Sequence, residues 1–532
     1  MATLVQHWWW FFALRPDSRL TPLENAGVLL LCTLLALIFG VFLPWSYQGG
    51  PAWGRYWMGR PRGMSYDNAV PGPRGWPVVG SVSLMSGLAH RKLAAAAASL
   101  HATRLMAFSV GTTRAVVTCN PDVAREILQG SAFADRPVKE SAYALMFDRA
   151  IGFAPYGAYW KSLRRVAATH MFCPRQIAAS EHHRVEIAAR MSARFAISGP
   201  GVQVRNVLRI ASLDHMMGCI FGKDYGLDET NTEVVELTEL VQEGYDILGV
   251  LNLSDHLPFL GLLDLQRIRR RCSHLIPRVK RFVGKIIDEH RSVSISDETR
   301  TNFLDVLLSF RGSFNFLSDY DMIAVLWEMI FRGTDTVVVL IEWVLARMVM
   351  HPEVQGKVQE ELDDVVGRAR PVADSDLAGL TYVKAVVKET LRLHPPGPLL
   401  SWARLATEDA VVDGWHVPTG TTAMVNMWAI GRDPSIWPDP LEFSPERFLQ
   451  SGPDPEFSVL GSDLRLAPFG SGRRSCPGKT LGLATIYLWV ASLLHEFVWM
   501  PAGPAPVDLS ERLRLSCEMA SPLTVNLLRR RP

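Results

Sequence analysis

The stretch that constrains this chain most is a glycine-rich loop around one cysteine, residues 469–478, which reads Phe-Gly-Ser-Gly-Arg-Arg-Ser-Cys-Pro-Gly. Glycine adopts backbone angles closed to other residues, so Gly470 and Gly472 allow a tight loop that can lie flat against a cofactor. A helical pattern begins directly afterwards at Lys479. Cys476 therefore precedes a helix N-terminus, whose backbone N–H groups favour a thiolate over a thiol. A glycine-rich turn around a buried, inert cysteine is the alternative.

The spacing of five residues in this loop favours the cofactor interpretation. Phe469, Gly472, Arg474, Cys476 and Gly478 give the pattern Phe-x-x-Gly-x-Arg-x-Cys-x-Gly, which resembles the haem-binding signature of the cytochrome P-450 family. In such proteins a cysteine thiolate is the axial ligand of the haem iron and favours O–O cleavage. The resemblance implies haem b as the cofactor. It also implies that Cys476 binds the iron, that Phe469 packs over the sulfur and that Arg474 pairs with a haem propionate.

Composition excludes some classes of protein. The chain has 532 residues, of which 48% are hydrophobic and 20% are charged, and this is enough to bury a large core. The net charge of +2 gives no reason to expect a nucleic-acid partner. The seven cysteines form an odd, scattered set, so we expect a reducing compartment rather than a disulfide framework.

The N-terminal region carries an uncharged, leucine-rich segment at residues 25–47. As a helix, this segment would be about 34 Å long, which is enough to cross a hydrocarbon core of about 30 Å. A cleaved signal peptide is the alternative, but the apolar run is long, starts late and lacks a clear cleavage site. Four arginines follow the segment and two precede it: Arg55, Arg60, Arg62 and Arg74 against Arg15 and Arg19. By the positive-inside rule, the bulk of the chain faces the cytosol.

These signals divide the chain into four parts. We expect an N-terminal lumenal segment at 1–24, a transmembrane anchor at 25–47, a linker at 48–80 and a haem-thiolate catalytic domain at 81–532. The linker contains Pro-Gly-Pro-Arg-Gly-Trp-Pro at 71–77, whose prolines fix the backbone and cannot continue the anchor helix. This stretch resembles the proline-rich hinge of microsomal members of the family. We therefore expect a single-pass protein of the endoplasmic reticulum membrane.

A long apolar helix is predicted over residues 319–351, and Pro352 ends it. It contains Arg-Gly-Thr-Asp-Thr at 332–336, which resembles the family's Ala/Gly-Gly-x-Asp/Glu-Thr motif on the distal face of the haem. The resemblance implies that Asp335 and Thr336 are catalytic and deliver protons for cleavage of the O–O bond. A helix kink with local side-chain hydrogen bonds is the alternative.

Arg332 departs from the family motif, which has alanine or glycine at this position. A guanidinium is costly to bury without a partner. Glu328 lies one turn earlier and can pair with it at i, i+4, and we favour this internal pair. The second hypothesis is that Arg332 binds a substrate carboxylate, such as that of a fatty acid.

Three other residues are expected beside the cofactor by resemblance. Trp160 and Arg164 are four residues apart and share one helix face. In the family this Trp-x-x-x-Arg pair contacts a haem propionate, although such a pair by itself usually marks a surface helix. Arg404 is assigned to the second propionate. A further set, Glu389, Arg392 and Arg447, matches the family's buried ion network, which serves folding and haem retention.

These matches follow the family's order along the chain after the anchor. They imply a mainly α-helical fold with small β-sheets, a triangular domain around one haem. Phe-Ala-Asp-Arg-Pro at 133–137 and Ala-Pro-Tyr-Gly at 154–157 resemble a plant microsomal group that includes the KLUH-like and plastochron-type growth regulators.

The implied activity is a monooxygenase that inserts one atom of O2 into a C–H bond of a small lipophilic substrate, producing a growth-regulating metabolite. Electrons would come from NADPH-cytochrome P-450 reductase. Three alternatives stay open at this stage: a haem-thiolate isomerase or dehydratase, a non-catalytic membrane haem sensor, and a transport or structural membrane protein.

Overall fold

The computed structural model describes residues 22–59, 69–292, 302–309, 317–400, 403–449 and 457–530. Helices dominate these residues, and short strands form small sheets, as the sequence predicts. Residues 1–21, which include Arg15 and Arg19, lie outside the described residues, as do Arg60 and Arg62. The predicted lumenal segment is therefore almost entirely outside the description.

The α-helices are numbered in chain order through the described residues. They are α1 Pro22–Trp45, α2 Pro51–Met58, α3 Ala89–Ser99, α4 Pro121–Gln129, α5 Glu140–Ala144, α6 Ala158–His170, α7 Pro174–Ala179, α8 Glu181–Ile197, α9 Val204–Phe221, α10 Thr232–Gly249, α11 Leu253–His256, α12 Ile268–Ser292, α13 Phe303–Ser309, α14 Asp319–Met350, α15 Pro352–Val365, α16 Thr381–Leu393, α17 Met427–Ile430 and α18 Lys479–Glu496.

The strands are β1 Met106–Val110, β2 Thr113–Thr118, β3 Val202–Gln203, β4 Arg404–Leu405, β5 Ala410–Val412, β6 Trp415–Val417, β7 Thr422–Val425, β8 Phe497–Pro501, β9 Glu511–Leu513, β10 Cys517–Met519 and β11 Thr524–Arg529. The largest sheet has the order β1-β2-β7-β4, in which β2 and β7 are parallel and the other pairs are antiparallel. A second sheet has the order β3-β11-β8, and β9–β10 and β5–β6 are hairpins.

Helix α14 runs through the core. The Ser318 hydroxyl accepts a hydrogen bond from the Asp321 N–H, and the Asp321 carboxylate accepts one from the Ser318 N–H. The two bonds form a capping box at the first turn. It ends at Met350 before Pro352, and its 32 residues correspond to about 48 Å. Most of its side chains are buried, because it packs against α9, α16 and α18. The predicted helix over 319–351 is confirmed within one residue.

The apolar segment near the N-terminus is helical. Helix α1 begins three residues before the start of the predicted anchor and stops two residues short of its predicted end. Its stretch Ala26–Trp45 is long and apolar enough to cross a membrane. Most of that stretch is exposed, and only its last turn, at Pro44, is buried against the protein. Gly49 and Gly50 follow with φ values of +78° and +84°, a conformation that favours glycine, in the turn that leads into the next helix. Within the predicted linker, residues 51–58 form helix α2.

A buried ion network joins α16 to the segment that follows α17. The Arg392 guanidinium donates to both carboxylate oxygens of Glu389, at 2.7 and 2.8 Å. Arg447 Nε donates to the same carboxylate at 3.1 Å. Arg392 also donates to the carbonyl oxygens of Gly431 and Pro440. Glu389 and Arg392 are fully buried, so the predicted three-member network is confirmed.

Candidate active site

The cysteine loop contains a short 3₁₀ turn at Gly472–Arg474, and Cys476 lies between this turn and the start of α18. The Cys476 N–H donates to the Phe469 carbonyl at 2.9 Å, which closes the loop. Gly470 and Gly472 both have a φ of +67°. A side-chain carbon at Gly472 would also collide with the carbonyl of Leu128. Glycine is therefore required at this position for two independent reasons.

A cavity of about 240 Å³ opens beside this loop. The loop contributes Cys476, Phe469 and Gly478 to its wall, and α14 contributes Gly333 and Thr336. The cavity thus brings together two predicted site segments that are separated by more than a hundred residues in the chain. Arg164, Arg404 and Arg474 line it as well.

The arginines of this cavity are held in place by main-chain carbonyls. Arg164 Nη1 donates to the Ser475 carbonyl at 2.8 Å, and Arg404 Nη2 donates to the Ser471 carbonyl at 3.0 Å. Arg474 donates to the carbonyls of Ala134 and Ala154 and forms an ion pair with Asp135. These contacts orient the three guanidinium groups from different elements towards one space.

Trp160 occupies a different position from the one expected. Within the part of the chain that the structure describes, it does not line the cavity. Its indole N–H donates to the Ile151 carbonyl at 2.9 Å, and its ring lies 4.3 Å from the Arg474 guanidinium carbon and 5.6 Å from that of Arg164. Trp160 therefore supports the two arginines by cation–π contacts.

The sequence interpretation missed a fourth arginine. Arg136 lines the same cavity and donates to the Ala403 carbonyl. Burial lowers the pKa of Arg136, and the positive charges of Arg404, Arg474 and Arg332 add to this effect. The signal for this arginine is the Phe-Ala-Asp-Arg-Pro stretch at 133–137, which also resembles the plant group.

The charge balance of this cavity fits haem b. Burial, with the charges of Arg474 and Arg164, lowers the pKa of Arg404 to about 9. Burial also lowers the pKa values of Arg164 and Arg474. Among the described residues, nothing accepts a hydrogen bond from the buried Nη1 of Arg404. An anionic group from outside the chain would relieve this unfavourable burial, and the two propionates of haem b are such groups.

The environment of Cys476 differs from the expectation in one respect. Burial raises the pKa of the Cys476 thiol, whereas Arg332, the Gly478 N–H, Arg164 and Lys479 act to lower it. The chain by itself therefore does not favour a thiolate, because desolvation outweighs the helix N-terminus and the nearby cations. A bound metal ion deprotonates a coordinating thiol directly, so the iron itself would supply the missing stabilisation.

The two residues predicted to be catalytic lie in different cavities. Thr336 lines the cavity of Cys476, whereas Asp335 lines a second cavity of about 50 Å³, together with Arg209, Ser516 and Glu518. Adjacent residues of an α-helix point about 100° apart, which explains the separation. Burial raises the pKa of Asp335; Arg209 and a hydrogen bond with Ser516 oppose this, while the charge of Glu518 adds to it.

Arg332 and Glu328 both line the Cys476 cavity. The Gly152 N–H donates to the Glu328 carboxylate at 2.9 and 3.0 Å. Burial raises the pKa of Glu328, and the charge of Arg332 is the strongest opposing influence, followed by hydrogen bonds from Gly152 and Ile151 and by the charge of Arg136. The charge of Arg332 thus stabilises the Glu328 carboxylate, in line with the favoured sequence interpretation.

A separate cluster of side chains has spacing suited to a metal ion. His90, Glu511 and Cys517 are all buried and place their ligand atoms within 4.8 Å of one another. However, the Glu511 carboxylate already accepts hydrogen bonds from Arg91 at 2.8 Å and from His90 at 3.1 Å. Arg347 donates to Nε2 of the nearby His394. These contacts join α3 to β9, and the cluster does not border the Cys476 cavity.

Comparison with known proteins places the fold and this site in one family. Residues 70–519 match the family model described as Cytochrome P450. The chain belongs to the cytochrome P450 family. It is accordingly a monooxygenase, an oxidoreductase that uses haem iron, O2, a redox partner and a small-molecule substrate.

Similar proteins show which group within the cytochrome P450 family this chain resembles. The chain is 60% identical to cytochrome P450 78A3 of Glycine max over 98% of both chains, and 58% identical to cytochrome P450 78A6 of Arabidopsis thaliana over the full length of both. A zebra fish cytochrome P450 structure with progesterone superimposes with a TM-score of 0.71 at 25% identity, covering 83% of this chain and 99% of that one. The predicted family, fold class and plant group are confirmed.

Proposed function

We propose that the chain is a membrane-anchored haem-thiolate monooxygenase that inserts one oxygen atom of O2 into a C–H bond of a small lipophilic carboxylic acid, such as a fatty acid. The observation that carries this proposal is the shared cavity, which combines Cys476, the arginines and Thr336. In the proposal, bound haem supplies the chemistry that activates O2. The side chains described below hold it, position the substrate and move protons.

Cys476 would ligate the iron, and the loop from Phe469 to Gly478 would face the haem. Gly470 and Gly478 line the cavity and would allow the main chain to come close, while Phe469 would cover the sulfur from one side. Gly472 supports the loop from behind, where it packs against the Leu128 carbonyl. The cationic set of Arg164, Arg404 and Arg474, joined by Arg136, would bind the propionates. The geometry supports this assignment because these side chains converge on one cavity from four separate parts of the chain.

Proton delivery is assigned to Thr336 and Asp335 from their positions on either side of α14. The second cavity is large enough for a few water molecules, since one water needs about 10–15 Å³ of such volume. Arg209 is partly exposed to solvent there. Asp335 would accept protons from this side, and the Thr336 hydroxyl would pass them into the cavity of Cys476.

Replacing Asp335 with asparagine is expected to lower turnover by about 100-fold, the usual contribution of a positioned acid–base group. Because burial raises its pKa, the carboxyl is protonated over a wider range than usual. Wild-type turnover should fall as pH rises through that pKa, and D335N should lose this basic limb. Turnover in H2O and D2O across pH measures both effects. Asp319→Asn, at the partly exposed start of the same helix, is the control, and an unchanged pH profile for D335N would contradict the proposed role.

The proposed substrate class follows from the charges of the side chains that line the Cys476 cavity. Among the described residues, five arginines line the cavity, and their carboxylate partners are Glu328 and, beside Arg474, Asp135. The two haem propionates would balance two more of these charges, which leaves one positive charge in excess. A lipophilic substrate with one carboxylate balances that charge, and Arg332 can bind it in a bidentate manner. An uncharged substrate would not balance it.

Replacing Arg332 with glutamine is expected to raise the KM for the acid by about 10- to 100-fold, because a hydrogen bond to a charged group contributes about 1.5–3 kcal/mol. The KM for the methyl ester should change little. Arg332→Lys keeps the charge without the planar guanidinium, so its KM for the acid should lie between those of the wild type and the glutamine variant. Kinetics with matched acid and ester substrates measure this. Equal turnover of both by the wild type would remove Arg332 from substrate binding.

The cellular setting is proposed from α1 and from one exposed basic surface. Helix α1 would anchor the chain in the endoplasmic reticulum membrane with the catalytic domain in the cytosol. Exposed Lys161, Arg165 and Arg473, together with the partly exposed Lys479, would attract an acidic NADPH-cytochrome P450 reductase. The product is proposed to regulate plant growth, as the resemblance to growth regulators implies.

Untargeted metabolite profiling tests the proposed function. Microsomes containing the chain, the reductase and NADPH are compared with the same microsomes carrying Cys476→Ala. We expect hydroxylated lipophilic acids that require both NADPH and Cys476. A product that forms without NADPH would instead indicate a haem-thiolate isomerase or dehydratase. Carbon monoxide binding with no product would indicate a haem sensor.

A further inference from the structure

Helix α2, which follows the anchor helix, is fixed to the body of the protein. Trp53 in α2 is only 1% exposed. Its indole N–H donates to the carbonyls of Phe108 in β1 and Ala115 in β2, at 3.1 and 3.3 Å. A side chain of this size, fully buried and hydrogen-bonded, attaches α2 firmly to the main sheet.

The turn between α1 and α2 is bound to the same sheet. The buried Ser109 hydroxyl in β1 donates to the Gly49 carbonyl at 2.6 Å and accepts from the Ala52 N–H at 3.0 Å. Gly50 is so close to the Arg74 carbonyl that a side-chain carbon there would collide with it. One buried hydroxyl thus connects the turn and the first residues of α2 to the strand.

The end of the anchor helix is held as well. The Trp45 indole N–H donates to the Gly75 carbonyl at 2.8 Å. Gly54 in α2 packs directly on the last turn of α1, and a side-chain carbon at Gly54 would collide with the Pro44 carbonyl. Helices α1 and α2 therefore pack against each other and against the segment that contains Gly75.

The same sheet carries an exposed apolar segment. Phe259, Leu262, Leu263 and Leu265 are 62–93% exposed. Just before them, the His256 carbonyl accepts from the Thr112 N–H at 2.8 Å, and the His256 ring contacts the Thr113 hydroxyl at 2.8 Å. Thr112 lies in the β1–β2 turn and Thr113 begins β2, so the anchor and this apolar segment are attached to one hairpin.

From these contacts we infer that residues 45–58 are a rigid coupling, which fixes the angle between the anchor helix and the catalytic domain. The partner of the coupled unit is a lipid bilayer, which α1 enters and against which the apolar segment is held. The inference rests on the proposed membrane anchor. A free linker over residues 48–80 would instead let its ends separate with an r.m.s. distance of about 30 Å.

Distance measurements on the full-length, haem-loaded protein in phosphatidylcholine nanodiscs test the coupling. One spin label is placed on Cys32, which is exposed in α1, and the other on Ser99→Cys, at the exposed end of α3. Cys173 and Cys219, which are also partly exposed, are replaced by serine to prevent a third label, while Cys476 would be bound to the iron. Pulsed electron paramagnetic resonance on the reduced, carbon monoxide-bound protein, in which the iron is diamagnetic, gives the distance distribution.

The wild type is expected to give one narrow distribution. Gly54→Val should broaden it at least about twofold, because the new side chain separates α2 from Pro44 and frees the chain as a flexible linker. Gly40→Val, in the anchor helix α1 with open space around it, is the matched control and should leave the distribution unchanged. Trp53→Phe keeps an aromatic ring in α2 but loses both indole hydrogen bonds. This variant should broaden the distribution as well.

A broad distribution in the wild type, or no difference between Gly54→Val and Gly40→Val, would overturn the inference. The carbon monoxide spectrum of each variant shows whether the catalytic domain has folded. Alkaline carbonate extraction of membranes tests the anchor separately. If the wild type is extracted, the membrane proposal fails, while the distance measurement in detergent still decides whether the coupling is rigid.

Discussion

Alanine at position 476 is expected to lower monooxygenase turnover by at least about 1000-fold, equivalent to about 4 kcal/mol of transition-state stabilisation. Without the sulfur, the proposed axial thiolate and its electron donation to the iron are lost. Arg164, Arg404 and Arg474 stay in place, so part of the haem should still bind. NADPH-dependent product formation per bound haem is the measurement.

The control for this experiment is Cys272→Ala. Cys272 is also buried, and burial raises its pKa to about 11, but it lies in α12 away from the cavity wall. This variant should retain wild-type turnover per haem. Equal activity of the two variants would contradict the assignment of Cys476.

Replacing Glu389 with alanine is expected to destabilise the fold by about 3–5 kcal/mol, because the fully buried Arg392 guanidinium is left without its carboxylate. Part of the protein should lose its haem as the fold loosens. Thermal unfolding of the haem-loaded protein and its haem content after purification measure this effect.

A surface ion pair gives the matched comparison. Arg281 and Glu236 are paired at 2.6 Å with side chains 68% and 29% exposed, and such pairs contribute about 0–1 kcal/mol. Glu236→Ala should therefore unfold close to the wild-type temperature. Similar unfolding temperatures for Glu389→Ala and Glu236→Ala would show that the buried network does not support the fold.

Local sequence patterns predicted the elements of this protein well. The cysteine loop was recognisable because its glycines are required by close approach and positive φ, both local properties of the backbone. Helix α14 was predictable within one residue, because a serine caps its start and Pro352 ends it. The network of Glu389, Arg392 and Arg447 was identifiable from the spacing of its motifs.

Properties set by packing between distant segments were less accessible. Asp335 and Thr336 are neighbours in the chain but face different cavities, and the second cavity depends on Ser516 and Glu518 near the C-terminus. The burial of Trp53 depends on strands that begin about fifty residues later. The pKa of Cys476 depends on how completely the loop is desolvated, which motif spacing does not reveal.

The most direct test of the central claim is the absorption spectrum of the reduced, carbon monoxide-bound full-length protein. If Cys476 holds the iron, the Soret band lies at the long wavelength typical of thiolate ligation, and it is absent in Cys476→Ala. A Soret band at the position of imidazole-ligated haem, or an identical spectrum for both proteins, would contradict the account.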